Sequence, residues 1–196
     1  MSTAAIEHFS IARSELILGG QKSGKSRRAE LLARQWLAED PSHRASLIAT
    51  GQAWDDEMRA RIARHQRDRA ERVPGLATLE EPRAVGELIA ATSTHETLLV
   101  VDCLTLWLTN WLMPVESTDA DKQEWATQSA TFLRALREAP GPVILVGNEI
   151  GLGVIPMGRE VRAFVDALGV LNQQVAGACF RVTLMVAGLP LSLKDE

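Results

Sequence analysis

The sequence predicts an α/β fold: a mostly parallel sheet with helices on both faces. Three observations predict it. Short uninterrupted apolar runs, "LILGG", "LLVVD" and "PVILVG", read as strands buried on both sides. These runs alternate with segments whose apolar residues recur at helical spacing. The first run also passes through Gly19-x4-Gly24-Lys25-Ser26 directly into a helix, the strand–loop–helix order of a P-loop NTPase-type fold.

The elements follow in order. Residues 1–14 carry no period and are read as an extension, either an edge strand or a disordered arm, with 15–196 as a single nucleotide-binding catalytic domain. "ELILGG" is the first strand, and Lys25 to Ala38 a helix with Ala29, Leu32, Ala33, Trp36 and Leu37 on one face. "EDPSH" breaks it, and "ASLIAT" is a second strand. "DDEMRARIARHQRDR" is a strongly charged helix whose acidic start suits the positive end of its dipole. "ERVPGLATLEEP", punctuated by prolines, reads as a loop, followed by a short helix from Arg83 to Thr92. Thr97 to Val101 is a third strand that stops at Asp102 and leads into the apolar "CLTLWLTNWL", a buried helix by default. An amphipathic helix from Asp119 to Glu138, a fourth strand in "GPVILVGNE", a long helix from Arg159 to Cys179 and a fifth strand in "RVTLMVAG" complete the chain.

Composition narrows the partners. With 196 residues, 46% apolar and 23% charged, the chain has the make-up of an ordinary soluble globular protein large enough for one core. A net charge of −4 argues against a general binder of nucleic acid or of membrane surfaces. No apolar run reaches the roughly 18 residues of a membrane span, and the N-terminus lacks the order of a signal peptide, so the expected location is the cytoplasm. Cys103 and Cys179 form no CxxC pair and read as buried thiols. Small anions held at one site are the expected ligands.

The loop supplies the chemistry for them. In Gly19, Gly20, Gln21, Lys22, Ser23, Gly24, Lys25 and Ser26, the glycines let backbone N–H groups turn inward on phosphates, Lys25 reaches the β and γ oxygens, and Ser26 can ligate magnesium. Asp102 ends a hydrophobic strand, where an acid either joins the metal site or caps the helix that follows. These residues bind and cleave a nucleoside triphosphate without naming an acceptor.

Further motifs are more specific. "GGQKSGKSRRAE", "IATGQAWDDEMRARIARH", "VVDCLTLWLTNWL", "VGNEIGLGVIP" and "VLNQQVAGACFRVTLMVAGLPLSLK", in this order, strongly resemble the bifunctional adenosylcobinamide kinase / adenosylcobinamide-phosphate guanylyltransferase family of cobalamin biosynthesis, from about Leu16 to Lys194. The resemblance implies a homo-oligomer, usually a trimer, that uses Mg2+ with ATP or GTP. It would phosphorylate the corrinoid adenosylcobinamide and then transfer GMP from GTP to the phosphate through a GMP–histidine intermediate. The family's histidine motif falls on Arg61-Ile62-Ala63-Arg64-His65, so His65 would carry the GMP. By the same resemblance Ala49, Thr50 and Gly51, the segment Gln66, Arg67, Asp68 and Arg69, and the acid Glu80 would touch the nucleotide. Lys22 stands where the family most often has arginine, and Ala70 where it has proline.

The chemistry of His65 suits that role. A neutral imidazole, available near its ordinary pKa of about 6.5, attacks phosphorus without a separate base. Met58, Ile62 and His65 fall at i, i+4 and i+7, an apolar stripe that would turn His65 toward the core. Without the family, a lone histidine here is more often a packed or surface residue, and Glu80 a capping acid; His8, His43 and His95 match no motif. Asn148 and Glu149 end the fourth strand, where open parallel sheets place ligands. A small-molecule kinase with a structural histidine, or a nucleotide-driven switch, are the other classes the loop allows.

Overall fold

A computed structural model of the chain describes residues 10–53, 55–113 and 119–196. The expected N-terminal arm and His8 fall largely outside these residues; of the extension, Ile11 is half-buried against the core, and the first strand already begins at Ser14.

The strands are β1 (Ser14–Gly19), β2 (Arg44–Ala49), β3 (Leu76–Glu80), β4 (Thr97–Asp102), β5 (Val143–Val146), β6 (Arg181–Val186) and β7 (Leu189–Asp195). They form one sheet in the order β3-β2-β4-β5-β1-β6-β7, parallel throughout except for β7, which pairs antiparallel with β6. The helices are α1 (Lys25–Glu39), α2 (Asp56–Arg72), α3 (Val85–Thr92), α4 (Leu104–Leu112), α5 (Asp119–Glu138) and α6 (Arg159–Ala178).

The uninterrupted apolar strands have a simple cause. Successive side chains of a strand point to opposite faces, and here both faces are covered. Leu16, Leu18, Leu99 and Val101 enter one core with Val85, Trp107, Phe132 and Leu168 of α3 to α6. Ile17, Leu98 and Val100 enter the other with Ala29, Leu32 and Ala33 of α1. Within the first core Trp107 packs on Phe132 and Trp125, with ring centroids 4.7 Å and 4.9 Å apart. The apolar segment after β4 is therefore the buried helix expected of it.

Two strands differ from the sequence reading. "ERVPGLATLEEP" contains β3, paired with β2 from Ala45–Leu76 to Ala49–Glu80. As an edge strand it is held by one ladder and leaves most of its side chains exposed, so it needs no apolar run. β7 follows β6 through Ala187 and Gly188, both at positive φ (51° and 82°), as a tight hairpin turn requires.

The far side of the sheet is tied by charge. Glu15 of β1 is fully buried and accepts hydrogen bonds from Arg28 Nε at 2.9 Å and Thr183 Oγ1 at 2.8 Å. Arg181 lies 3.7 Å from the same carboxylate and pairs with Asp195 at 2.9 Å, so the cluster links α1, β1, β6 and β7.

Both cysteines are buried, as expected. Burial pushes the Cys103 thiol up to about 11 and the Cys179 thiol up to about 12, leaving neither as thiolate at neutral pH. A maleimide should therefore label the native protein roughly a hundredfold more slowly than the unfolded chain, by mass-resolved time course.

Candidate active site

The phosphate loop is shaped by its backbone. Gly19 ends β1 at φ 152°, and a Cβ there would meet the Met185 carbonyl oxygen at 2.5 Å, so no larger residue fits. Gly24, at φ 103°, turns the chain into α1, whose first turn receives no side-chain cap. Its N–H groups stay available to an anion and lie at the positive end of the helix dipole. Ser23 N–H donates to the Gly20 carbonyl at 3.3 Å and closes the loop.

Lys25 is only 8% exposed, and its ammonium reaches back to the Gly20 carbonyl at 2.6 Å, inside the curve of the loop. Burial lowers its pKa, opposed by the nearby Cys103 and Asp102. The Ser23 hydroxyl is buried without a hydrogen-bond partner, and phosphate oxygens would satisfy such a donor.

Asp102, half-buried at the end of β4, stands between Ala49 of β2 and Val146 of β5 in the strand register. Ser26 Oγ and the Asp102 carboxylate are hard oxygen donors of the kind magnesium takes. Among the described residues no group of three or more His, Cys, Asp or Glu could hold an ion.

Beside the loop, a buried hydrogen-bond network joins the ends of three strands. The Thr50 hydroxyl donates to the Cys103 carbonyl at 2.7 Å and accepts from Cys103 N–H at 2.9 Å, while Thr50 N–H donates to the Asp102 carbonyl at 3.3 Å. Asn110, on α4, donates its amide to the Thr50 carbonyl at 2.7 Å and to the Pro82 carbonyl at 2.9 Å. Thr50 is fully buried, so its side chain serves the loop's shape. Asn110 was missed in the sequence, although one amide inside "LTLWLTNWL" is the cue that would have found it.

Next to this network is a hollow of about 400 Å³, lined by Ala49, Gly51, Gln52, Ile62, Gln66 and Glu80, with Arg59 at its edge. Gln66 donates to Glu80 at 3.3 Å. Predicted residues thus meet here from two strand ends and α2. Arg67, Asp68 and Arg69 do not line it; Arg67 is exposed and Asp68 pairs with Arg72 at 3.5 Å.

His65 is exposed, one residue before Gln66, and does not turn toward the core as its stripe suggested. The cause is α2 itself. None of its described residues is fully buried or enters either core, so the half-buried Met58 and Ile62 are its inward face. The helix is tied at Gln66 and, near its end, by Arg72 to Glu30 at 3.0 Å; burial raises the pKa of Glu30 and Arg72 opposes the shift. His43 is structural, stacked on Trp36 at 3.6 Å with Nδ1 2.8 Å from the Trp36 carbonyl.

On the other side, Glu149 N–H donates to the Gly19 carbonyl at 3.1 Å, which brings the segment after β5 against the phosphate loop. Asn172 of α6 donates to the Asn148 carbonyl at 3.1 Å, and Glu149 accepts from Gly151 N–H at 2.9 Å.

Fold and loop together define a P-loop nucleotide-binding protein of the parallel α/β class. A solved structure of the flagellar accessory protein FlaH from Methanocaldococcus jannaschii shares the fold, with a TM-score of 0.53 at 12% identity over 97% of this chain and 82% of that one. The family model for cobinamide kinase / cobinamide phosphate guanyltransferase matches residues 15–193, and the chain belongs to that family. It is 47% identical to the bifunctional adenosylcobalamin biosynthesis protein CobP of Pseudomonas aeruginosa, over 93% of this chain and 98% of the relative. It is also 36% identical to CobU, of the same description, from Escherichia coli, over 91% and 98%.

Proposed function

We propose that this protein carries out both reactions its family is named for. It phosphorylates the hydroxyl of adenosylcobinamide with ATP or GTP, then transfers GMP from GTP to that phosphate, giving adenosylcobinamide-GDP and pyrophosphate. The observation that carries this reading is the pairing of a phosphate loop with a second hollow, walled by the helix that bears His65.

In the first step the acceptor hydroxyl oxygen attacks the γ phosphorus, its proton passes to solvent, and the β–γ bridging oxygen leaves with the nucleoside diphosphate. Gly19 to Ser26 hold the phosphates, and Lys25 neutralises charge that builds on the leaving oxygens. Ser26 and Asp102 would hold Mg2+, which would supply further charge neutralisation for the phosphates. In the second step a His65 ring nitrogen attacks the α phosphorus and pyrophosphate leaves; the acceptor phosphate then displaces the imidazole. Glu80 accepts from the N1 and N2 donors of guanine, and Ala49, Gly51 and Gln66 wall the base. Arg67, Asp68 and Arg69 would act at the hollow's rim, with Arg69 on the phosphates. We further expect a cytoplasmic homotrimer, as in the family.

Incubation with adenosylcobinamide, magnesium and GTP, with products resolved by mass, tests the reading. Both the phosphate and the GDP derivative are expected; phosphate alone would refute the second activity, and neither would refute both. Lys25→Met should lower phosphoryl transfer by about 10²–10³ or more in steady-state assays. Its melting temperature should hold or rise: a lysine pKa lowered by burial means that the charge disfavours the folded state below that pKa, and methionine removes the charge.

A further inference from the structure

We propose that an apolar hollow between the segment after β5 and α6 receives the corrin macrocycle of the acceptor; this rests on the function proposed above and assigns the acceptor's body a place. The hollow, about 450 Å³, is lined by Ile150, Val154, Ile155, Val165 and Val170, with Gln173 among its polar neighbours.

Its position comes first. The segment leaves β5 at the phosphate loop, where Glu149 N–H meets the Gly19 carbonyl at 3.1 Å, and Ile150 is the next residue. An acceptor that offers a hydroxyl on a short arm to the γ-phosphate must rest its bulk on a surface flanking that loop.

Among the described residues the hollow beside α2 and the hollow beside α6 both flank the strand ends, and their linings differ. The one beside α2 carries Arg59, Gln66 and Glu80, groups that suit the polar edge of a nucleobase. The one beside α6 presents mostly hydrocarbon, and one guanidinium nitrogen of its Arg162, Nη1, donates to the Pro156 and Met157 carbonyls, at 3.0 Å and 2.5 Å. A broad hydrocarbon disc rimmed by primary amides matches it: apolar side chains meet the ring face, and Gln173, Asp166 and loop carbonyls meet the amides.

Exposure points the same way. Leu152, Val154, Ile155 and Met157 are between 77% and 96% exposed on a segment that Arg162 pins in place, a concentration of apolar surface expected where something binds. Its continuity with the phosphate loop and its largely apolar lining point to the acceptor rather than to a second nucleotide.

Val154→Asp and Ile155→Asp test the proposal, with Leu193→Asp on β7 as a matched substitution of an exposed apolar residue elsewhere. The two hollow variants should raise KM for adenosylcobinamide at least about tenfold, consistent with loss of an apolar contact. The nucleotide dissociation constant, measured without acceptor, should move less than about twofold. Val154→Leu should restore the wild-type KM. Unchanged KM in the hollow variants, an equal rise in Leu193→Asp, or a rise that accompanies dissociation of the oligomer in sedimentation would each overturn it. Active wild type with unaffected variants removes the hollow alone; a wild type inert toward adenosylcobinamide removes the proposed function and the hollow with it.

Discussion

Replacing His65 with alanine should abolish covalent attachment of GMP from labelled GTP, with guanylyl transfer falling by about three orders of magnitude or more. Phosphorylation of adenosylcobinamide should continue, so the monophosphate accumulates and separates the two activities in one mass spectrum. In the wild type the label should be lost in acid and survive in base, as for a phosphoramidate. Because His65 is exposed on a helix that enters neither core, its removal should change stability by no more than about 0.5 kcal/mol, and thermal melting distinguishes lost chemistry from lost fold. A variant that still takes up stable label would overturn the assignment.

The second large effect is on stability and lies at the opposite end of β1. Glu15→Ala should destabilise the protein by roughly 2–3 kcal/mol in urea unfolding, because it removes the fully buried carboxylate that the half-buried Arg28 and Arg181 share, leaving Arg181 to Asp195. Glu15→Gln keeps an acceptor for Thr183 and should cost less. Equal, small losses in both variants would show that the arginines find solvent when the acid is gone.

What was legible in the sequence follows physical rules. β1, β4 and β5 were readable because they are buried on two faces, and double burial writes continuous apolar runs. β3 was not, because "LATLE" at the sheet edge owes its conformation to its ladder with β2, with Pro74 and Pro82 masking it as a loop. β7 was passed over, although Leu189, Leu191 and Leu193 recur with period 2; those leucines are exposed, and at an edge the missing N–H of Pro190 costs little. The phosphate loop was complete in eight residues because its function is a backbone shape set by glycines. The hollow beside α2 was legible only in part. Ala49, Gly51, Gln66 and Glu80 come from three elements far apart in the chain, and helical spacing alone cannot say whether a stripe faces a core or a rim, which is why His65 was expected inward.

Asn110 has a consequence for enzymology. One amide holds the Thr50 and Pro82 carbonyls, and Thr50 holds Cys103 next to Asp102. The wall of the hollow beside α2 and the backbone at Asp102 are therefore tied through one buried network. Lesions on the two sides should not add: substitutions at Asp102 and at Glu80 share a single tether, so a double-mutant cycle between them should return a coupling energy far larger than their lack of direct contact suggests.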